Sequence, residues 1–244
     1  MNRALAIANR IVRQFLRDRR TLGMLLLVPI LVMTLVGFSF PRGGNVLDYV
    51  APALLAAMAL FFVFILTGVS FLRERSQGTL ERLMASPVSR AEIIVGYLLG
   101  FILFAAAQAV IILLYTVFVL QVHYVGALWQ IFVFQLIITV VALNLGLFVS
   151  TYARNELQVI QFIPLVLVPQ FFLSGLLYPV EQMNQVLQYI SKVMPLTYAV
   201  EGLRKIMLDG RNLGDVWKDL VVLMAWAIAM TVLGALALRR GSPS

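Results

Sequence analysis

The sequence predicts an all-α polytopic membrane protein with six transmembrane helices. Of its 244 residues, 61% are hydrophobic and 12% are charged, which is about half the charged share of a typical soluble domain. The mean hydropathy is +0.95, and a soluble protein of this size has too little interior to bury so many apolar side chains. Long apolar runs between short polar segments leave room for six helices of the roughly 20 residues that cross a bilayer.

Residues 2–20 predict a basic amphipathic helix ahead of the first span. Apolar side chains from Ala4 to Leu16 fall on one half of the helical wheel, and polar ones from Asn9 to Arg17 fall on the other. Such a helix lies in the headgroup plane, so we expect residues 1–21 at the cytoplasmic membrane surface. A cleaved signal peptide fits less well, because the apolar run that follows is longer than a signal-peptide core.

The apolar runs place the six spans along a single domain, residues 1–244. The spans lie at about 22–40, 49–72, 93–120, 128–151, 159–178 and 220–238. The third span is longer than a bilayer requires, so we expect it to tilt or to project into the cytoplasm. Gly96 and Gly100 near its start form a GxxxG pattern, which allows close approach by another helix.

The distribution of Lys and Arg predicts both termini in the cytoplasm. With that orientation, the inner segments carry about twice as many basic side chains as the outer segments, as the positive-inside rule requires. We therefore expect a multi-pass protein of the cytoplasmic membrane. This topology accounts for the net charge of +8. Nucleic-acid binding would need a basic face on a water-exposed domain, and the sequence predicts no such face.

Two short amphipathic helices are predicted on the outer side, between spans five and six. Residues 180–194 carry apolar side chains at helical spacing up to Pro195. Residues 196–210 give a second helix that ends at Gly210, a residue type common just after helices. The pair would either cover a translocation path, as a cap or re-entrant hairpin, or anchor the loop at the surface. The sequence leaves both open.

The longest charged interruption in the first two-thirds of the chain lies between spans two and three, at residues 73–92. Thr79 can cap a short helix that Pro87 ends. Ser89 and Glu92 form a capping box at the start of the third span. The pattern predicts a short exposed helix between two breaks, compatible with a solvated connector or with a docking element.

Two motifs carry a resemblance to a known family. The first combines an Arg/Glu pair, the sequence G-T-L-E-x-L, a small residue before Pro, and a polar helix start with Glu and a later Gly. Its residues here are Arg73, Glu74, Gly78, Thr79, Leu80, Glu81, Leu83, Ser86, Pro87, Glu92 and Gly96. The second, at residues 194–204, is a P-x-x-Y/H-hydrophobic-x-x-x-L/I-R signature. Together they resemble ABC-2 type transporter permeases, in the drug-export-like branch. Tyr97 departs from the pattern, since many relatives carry Lys there.

The resemblance implies the transmembrane subunit of an exporter that works with two ATP-binding subunits and a second permease, identical or different. It also implies that the ATPase holds a coupling helix in this loop and that the N-terminal helix makes a second contact. The coupling residues that it implies are Arg73, Glu74, Gly78, Thr79, Leu80, Glu81, Leu83, Ser86 and Pro87. The sequence contains no G-x-x-x-x-G-K-[ST] phosphate-binding loop. We therefore expect no enzymatic activity or cofactor in this chain, and ATP and Mg²⁺ on the partner.

Polar side chains within the spans are weak candidates for a substrate path: Gln108, Asn144, Gln161 and Gln170. Each could instead form hydrogen bonds between helices. Pro164 and Pro169 free backbone carbonyls in the fifth span, where the resemblance partly places the permease–permease contact and substrate route. No span carries an ionisable residue near its centre. We therefore expect an apolar path suited to drugs, lipids or lipid-linked molecules.

Three other functions compete with this interpretation. Export of a lipid-linked polysaccharide stays within the same family. A secondary transporter or channel is disfavoured because no charge lies at mid-membrane. An intramembrane enzyme would need paired carboxylates, a Ser/His pair or metal ligands at span ends, whereas the chain has no Cys and a single His, His123.

Overall fold

A computed structural model describes residues 3–40, 45–84, 88–153 and 155–240, and these ranges contain helices and no strand. The α-helices are α1 (Arg3–Arg17), α2 (Arg19–Ser39), α3 (Asn45–Ser76), α4 (Thr79–Met84), α5 (Arg90–Leu114), α6 (Leu128–Tyr152), α7 (Glu156–Leu173), α8 (Gln185–Ser191), α9 (Pro195–Met207) and α10 (Trp217–Arg240). A π-helical turn, Tyr115–Val119, extends α5. A 3₁₀ turn, Val180–Gln182, precedes α8.

Five helices of the described chain are long and apolar enough to cross a membrane. They cover Thr21–Ser39, Val46–Glu74, Glu92–Val119, Leu128–Tyr152 and Trp217–Gly234. These ranges fall on predicted spans one to four and six. The predicted fifth span, 159–178, corresponds to a shorter apolar helix, because α7 ends at Leu173 and residues 174–178 bend. Gly175 has φ +81°, a backbone conformation that ends a helix.

The centre of the bundle is formed by α3 and α6. In the apolar stretch of α3, 78% of the residues are buried, whereas in that of α2 only 17% are buried. Helix α3 is therefore central and α2 is peripheral. A Cβ on Gly146 of α6 would lie 2.7 Å from the carbonyl oxygen of Phe64. The two backbones therefore approach as closely as only glycine allows.

Hydrogen bonds between distant segments define one end of the bundle. The backbone N of His123 donates to Asp48 Oδ1 at 2.9 Å. The backbone N of Val125 donates to the carbonyl oxygen of Met207 at 2.8 Å. These bonds join the start of α3, the loop before α6 and the end of α9, and we refer to this as the α9 end. The opposite end, where α1 and α4 lie, is the α1 end.

Helices occur at both positions predicted on the outer side, with different bounds. The predicted helix 180–194 is divided into the 3₁₀ turn and α8, because the side chain of Asn184 accepts a hydrogen bond from Val186 N at 3.0 Å and starts a new helix. The second begins at Pro195, and Gly210 follows it with φ +66°. The N-terminal helix is also shorter than predicted, since Asp18 ends α1 and caps α2 through Thr21 N at 3.1 Å.

We expect Gly126→Ala to lower the free energy of unfolding by about 2 kcal/mol, the cost of a typical overpacked contact. A Cβ at this position would lie 2.2 Å from the backbone oxygen of Ile206. Backbone cannot rotate away, so the loop must separate from α9. The measurement is the thermal unfolding midpoint in neutral detergent. The control is Gly214→Ala, where nothing lies within 4 Å of the added Cβ, and an equal shift in both variants would contradict the prediction.

Candidate functional site

The apolar face of α1 packs on α5 at the GxxxG pattern. Ile7, Ala8, Ile11 and Phe15 are buried. A Cβ on Gly96 would lie 2.7 Å from Ile7 Cβ, and one on Gly100 would lie 2.9 Å from Ile11 Cβ. The two glycines thus leave the space in which α1 lies. The sequence predicted an apolar face directed at the headgroup region, whereas this part of it is covered by protein.

A buried polar cluster ties α1, α3 and α5 together at the α1 end. Arg10 forms an ion pair with Glu74. The hydroxyl of Tyr97 donates to Glu74 Oε2 at 3.0 Å, and Arg10 Nη2 donates to the Tyr97 oxygen at 3.3 Å. The side chain of Glu74 is 7% exposed and that of Arg10 is 36% exposed. The carboxylate is therefore shielded from water and compensated by two partners.

This Arg10–Glu74–Tyr97 cluster changes the interpretation of two sequence positions. Glu74 was predicted to contact an external ATPase, but its side chain lies inside the bundle. Tyr97 is fully buried and supplies the third member of the cluster. Sequence reasoning marked Tyr97 only as a departure from a family pattern. A signal for this role was present in the sequence. Tyr97 places a phenol on an otherwise apolar helix face, and a buried phenol needs a hydrogen-bond partner.

Helix α4 follows α3 after a two-residue turn. Gly78 has φ +69°, and its carbonyl oxygen accepts from Arg82 N at 3.1 Å. The predicted N-cap was Thr79, yet Thr79 is already the first helical residue, so Gly78 occupies the cap position. Leu83 packs on the core, while Arg82 is exposed. The helix therefore has one side packed on the bundle and another that is exposed.

The other predicted coupling residues are placed as follows. Arg73 is exposed at the end of α3. Leu80 and Glu81 belong to the backbone of α4, and their side chains lie outside the described residues, as do Ser86 and Pro87.

The capping box predicted at the start of α5 is confirmed. Ser89 N donates to Glu92 Oε2 at 2.8 Å, and Glu92 N donates to Ser89 Oγ at 3.2 Å. Each side chain satisfies a backbone donor that the first helical turn leaves free. The start of α5 is therefore fixed shortly before Gly96, the first of the two glycines on which α1 packs.

Of the predicted substrate-path residues, Asn144 has a defined structural role. Its Nδ2 donates to the carbonyl oxygen of Val140 at 2.8 Å, and its Oδ1 accepts from Thr231 Oγ1 of α10 at 2.6 Å. Both ends of the amide are thus used, and the second bond joins α6 to α10. Asn144 therefore serves helix packing in this structure.

The three predicted glutamines differ in environment. Gln108 is buried, and neither of its amide atoms has a partner among the described residues. Gln170 is buried and donates to the carbonyl oxygen of Val166 at 3.3 Å. Gln161 is exposed on α7. Within the described chain, no hydrogen bond joins any two of the four candidates, so the structure does not assemble them into one site.

The signature at residues 194–204 forms most of α9. Its apolar residues Leu196, Ala199, Val200 and Leu203 are buried. Lys205, directly after the signature, binds Glu201 at 2.7 Å and Asp219 of α10 at 2.9 Å. Burial alone would lower the pKa of Lys205, but its hydrogen bonds to these two carboxylates raise it. The signature thus fixes α9 against the core and, through Lys205, against α10.

Comparisons with known proteins agree with these features. The profile described as ABC-2 type transporter matches residues 3–208. The chain is 32% identical over 178 residues to the probable multidrug ABC transporter permease YbhR of Escherichia coli (strain K12), covering 71% of this chain and 48% of that protein. It is 28% identical over 212 residues to ABC transporter G family member 20 of Dictyostelium discoideum, covering 86% of this chain and 29% of that protein.

A third relative is the linearmycin resistance permease protein LnrN of Bacillus subtilis (strain 168), which is 28% identical over 182 residues, covering 74% of this chain and 47% of that protein. The chain thus spans about half the length, or less, of these curated relatives. The family profile covers the N-terminal helix, the charged loop and the α9 signature. The resemblance inferred from the two motifs is therefore confirmed, and the chain belongs to the ABC-2 type transporter family as a membrane permease.

Proposed function

We propose that the chain is the permease subunit of an ATP-driven exporter that moves hydrophobic or amphiphilic molecules, such as drugs, lipids or lipid-linked molecules, across the cytoplasmic membrane. The observation that carries the proposal is α4, a short helix with an exposed face, two residues from α3 and next to the cluster that ties α3 to α1 and α5. The printed names of two relatives, a probable multidrug permease and a linearmycin resistance permease, support an amphiphilic substrate.

The coupling step is a displacement of α4 by an ATP-binding subunit. ATP and Mg²⁺ bind that partner, in two copies per transporter. Because the turn between α3 and α4 is short, a force on α4 reaches Glu74, and the Arg10–Glu74–Tyr97 cluster transmits it to α1 and α5. Transport requires the ATPase to bind two permease conformations with different affinity.

A second permease, identical or different, covers α7 in this proposal. Ile160, Leu165, Val168 and the amide of Gln161 are exposed on that helix. An amide facing lipid is costly, so a protein surface is the better neighbour for Gln161. We place the α1 end and both termini in the cytoplasm, where the ATPase is.

We expect a charge reversal on α4 to abolish co-purification with the ATPase subunit. The variant is Glu81→Arg with Arg82→Glu, which keeps the net charge and leaves Leu83 in its packed position. The physical reason is that the partner surface would meet like charge where it now meets opposite charge, a mismatch that costs several kcal/mol. The measurement is the amount of ATPase retained on the affinity-tagged permease, together with substrate-stimulated ATP hydrolysis.

The matched control reverses charges at the other end of the molecule. Asp209→Arg with Arg211→Glu changes two exposed side chains by the same amounts, away from α4. We expect this control to retain the ATPase. Retention of the ATPase by the α4 variant at the level of this control would rule out α4 as the coupling element.

A further inference from the structure

A cavity of about 400 Å³ opens at the α9 end, between the start of α3, the end of α7 and α9. Tyr49, Ser174, Tyr198 and Arg204 contribute to its wall. The cavity lies at the opposite end of the bundle from α4 and from the Arg10–Glu74–Tyr97 cluster. The proposed coupling mechanism does not use it.

Arg204 brings a positive charge into this cavity, and no counter-ion among the residues that the structure describes is hydrogen-bonded to it. Its guanidinium lies over the ring of Tyr49, with Cζ 4.1 Å from the ring centroid. Its Nε and Nη2 atoms are buried and have no hydrogen-bond partner within the described part of the chain. Burial lowers the pKa of Arg204, but a guanidinium stays protonated at neutral pH. Buried donors without acceptors are costly, so an acceptor that reached this guanidinium would relieve that cost.

The carboxylates around the cavity do not satisfy Arg204. Glu201 and Asp219 both bind Lys205. Asp209 lies within 3.8 Å of Arg211. Glu181, an exposed residue of the cavity wall, acts on Arg204 through its charge without an ion pair. Within the described ranges, the acidic groups nearby are thus either paired with another basic residue or form no ion pair with Arg204.

We propose that this cavity binds the anionic head group, a carboxylate or a phosphate, of an amphiphile, with Arg204 as the residue that contacts the anion. The guanidinium presents planar N–H donors that match both oxyanions in a bidentate arrangement. Sites for small molecules span roughly 300–1,000 Å³, so a cavity of about 400 Å³ has room for a head group and not for a whole lipid. Val180 and Val200 in the wall contact the carbon atoms of the ligand.

The surroundings favour an amphiphile over a soluble ion. Tyr178, Tyr189 and Val193 are exposed, and each is adjacent in sequence to a residue of the cavity wall, namely Pro179, Gln188 and Lys192. An apolar tail can lie along these side chains while the head group occupies the cavity. An inorganic anion has no apolar tail, so it would gain nothing from these three side chains.

Binding of dodecyl phosphate to the full chain, purified with its ATPase partner in dodecyl maltoside and without ATP, tests the inference. We expect Arg204→Gln to weaken binding at least about tenfold, as the loss of charge-assisted hydrogen bonds commonly does. Arg204→Lys keeps the charge but not the planar donors, so its affinity should be intermediate. Arg13→Gln makes the same charge change on the exposed face of α1, at the opposite end of the bundle from the cavity, and should bind like the parent.

A second variant keeps the test decisive if Arg204→Gln does not fold. Glu181→Gln removes from the cavity wall a negative charge that repels the phosphate, and it leaves Arg204 unaltered. We expect this variant to tighten dodecyl phosphate binding about threefold, the effect of a modest surface charge. Equal affinities for Arg204→Gln and Arg13→Gln, or no tightening by Glu181→Gln, would overturn the proposal.

Competing anions identify the source of the head group. Displacement of dodecyl phosphate by phosphatidylglycerol in phosphatidylcholine nanodiscs assigns the site to a membrane lipid, and a lack of displacement excludes this lipid as the occupant. Inorganic phosphate that binds as tightly as dodecyl phosphate would refute an amphiphile site. Because no ATP is present, failure of this binding and failure of the proposed transport function are distinguishable.

Discussion

A Gly96→Leu variant should lose about 3 kcal/mol of folding free energy and release α1 from α5, because overpacking that shifts a backbone costs about that much or more. A Cβ at position 96 would lie 2.7 Å from Ile7 Cβ and 2.9 Å from the backbone oxygen of Ala4. Neither atom is the end of a flexible side chain, so α1 has to move as a whole. Leucine is favoured over glycine in a helix by only about 1 kcal/mol. The clash is larger, so we expect the substitution to destabilise the fold.

Two measurements check this result. The thermal unfolding midpoint in neutral detergent reports stability. The chain has no cysteine, so a single Ala8→Cys substitution, at a buried position of α1, reports the position of the helix by its rate of maleimide labelling. Labelling should be slow when Gly96 is retained and fast when Gly96→Leu is added to the same background.

The control is Gly23→Leu in α2. Nothing lies within 4 Å of a Cβ at that position, so the same side chain meets open space in another long apolar helix. We expect a small change in stability and no change in labelling at position 8. If Gly23→Leu and Gly96→Leu gave equal shifts, the packing of α1 on α5 would not be the cause.

The features that the sequence predicted correctly are encoded locally. Long helices follow from runs of apolar residues, and five of them are long enough to cross a bilayer where expected. The capping box of Ser89 and Glu92 involves positions three residues apart, so it is readable from the sequence alone. The GxxxG pattern predicted that some helix would approach Gly96 closely, because a missing side chain leaves space, but the pattern does not name the partner.

The features that the sequence did not predict depend on contacts between distant segments. Arg10 lies 64 positions before Glu74 and 87 before Tyr97, and no local rule brings these three residues together. Arg10 was therefore assigned to the polar face of α1, and Glu74 to a partner surface. The end of the fifth span was also missed, since the apolar run continues beyond Leu173 while the backbone turns at Gly175.

We expect Glu74→Gln to lower the free energy of unfolding by about 3 kcal/mol. Removing one partner of a buried ion pair costs about 3–5 kcal/mol, and the partial exposure of Arg10 places this pair at the lower limit. The variant leaves Arg10 without its carboxylate and weakens the acceptor of the Tyr97 hydroxyl. Since the cluster links α3 to α1 and α5, the proposed coupling also predicts that substrate-stimulated ATP hydrolysis by the complex with the ATPase falls, even in the fraction of protein that stays folded.

A double-mutant cycle separates the ion pair from a general loss of packing. Arg10→Gln and Glu74→Gln should each destabilise, and the double variant should lose less than their sum, because each single change already removes the same interaction. Arg13→Gln makes the same charge change on the exposed face of α1 and should have little effect. Additive losses across the cycle would show that Arg10 and Glu74 act independently. A coupling of about 1 kcal/mol or more would instead show that Arg10 and Glu74 stabilise the fold as a pair.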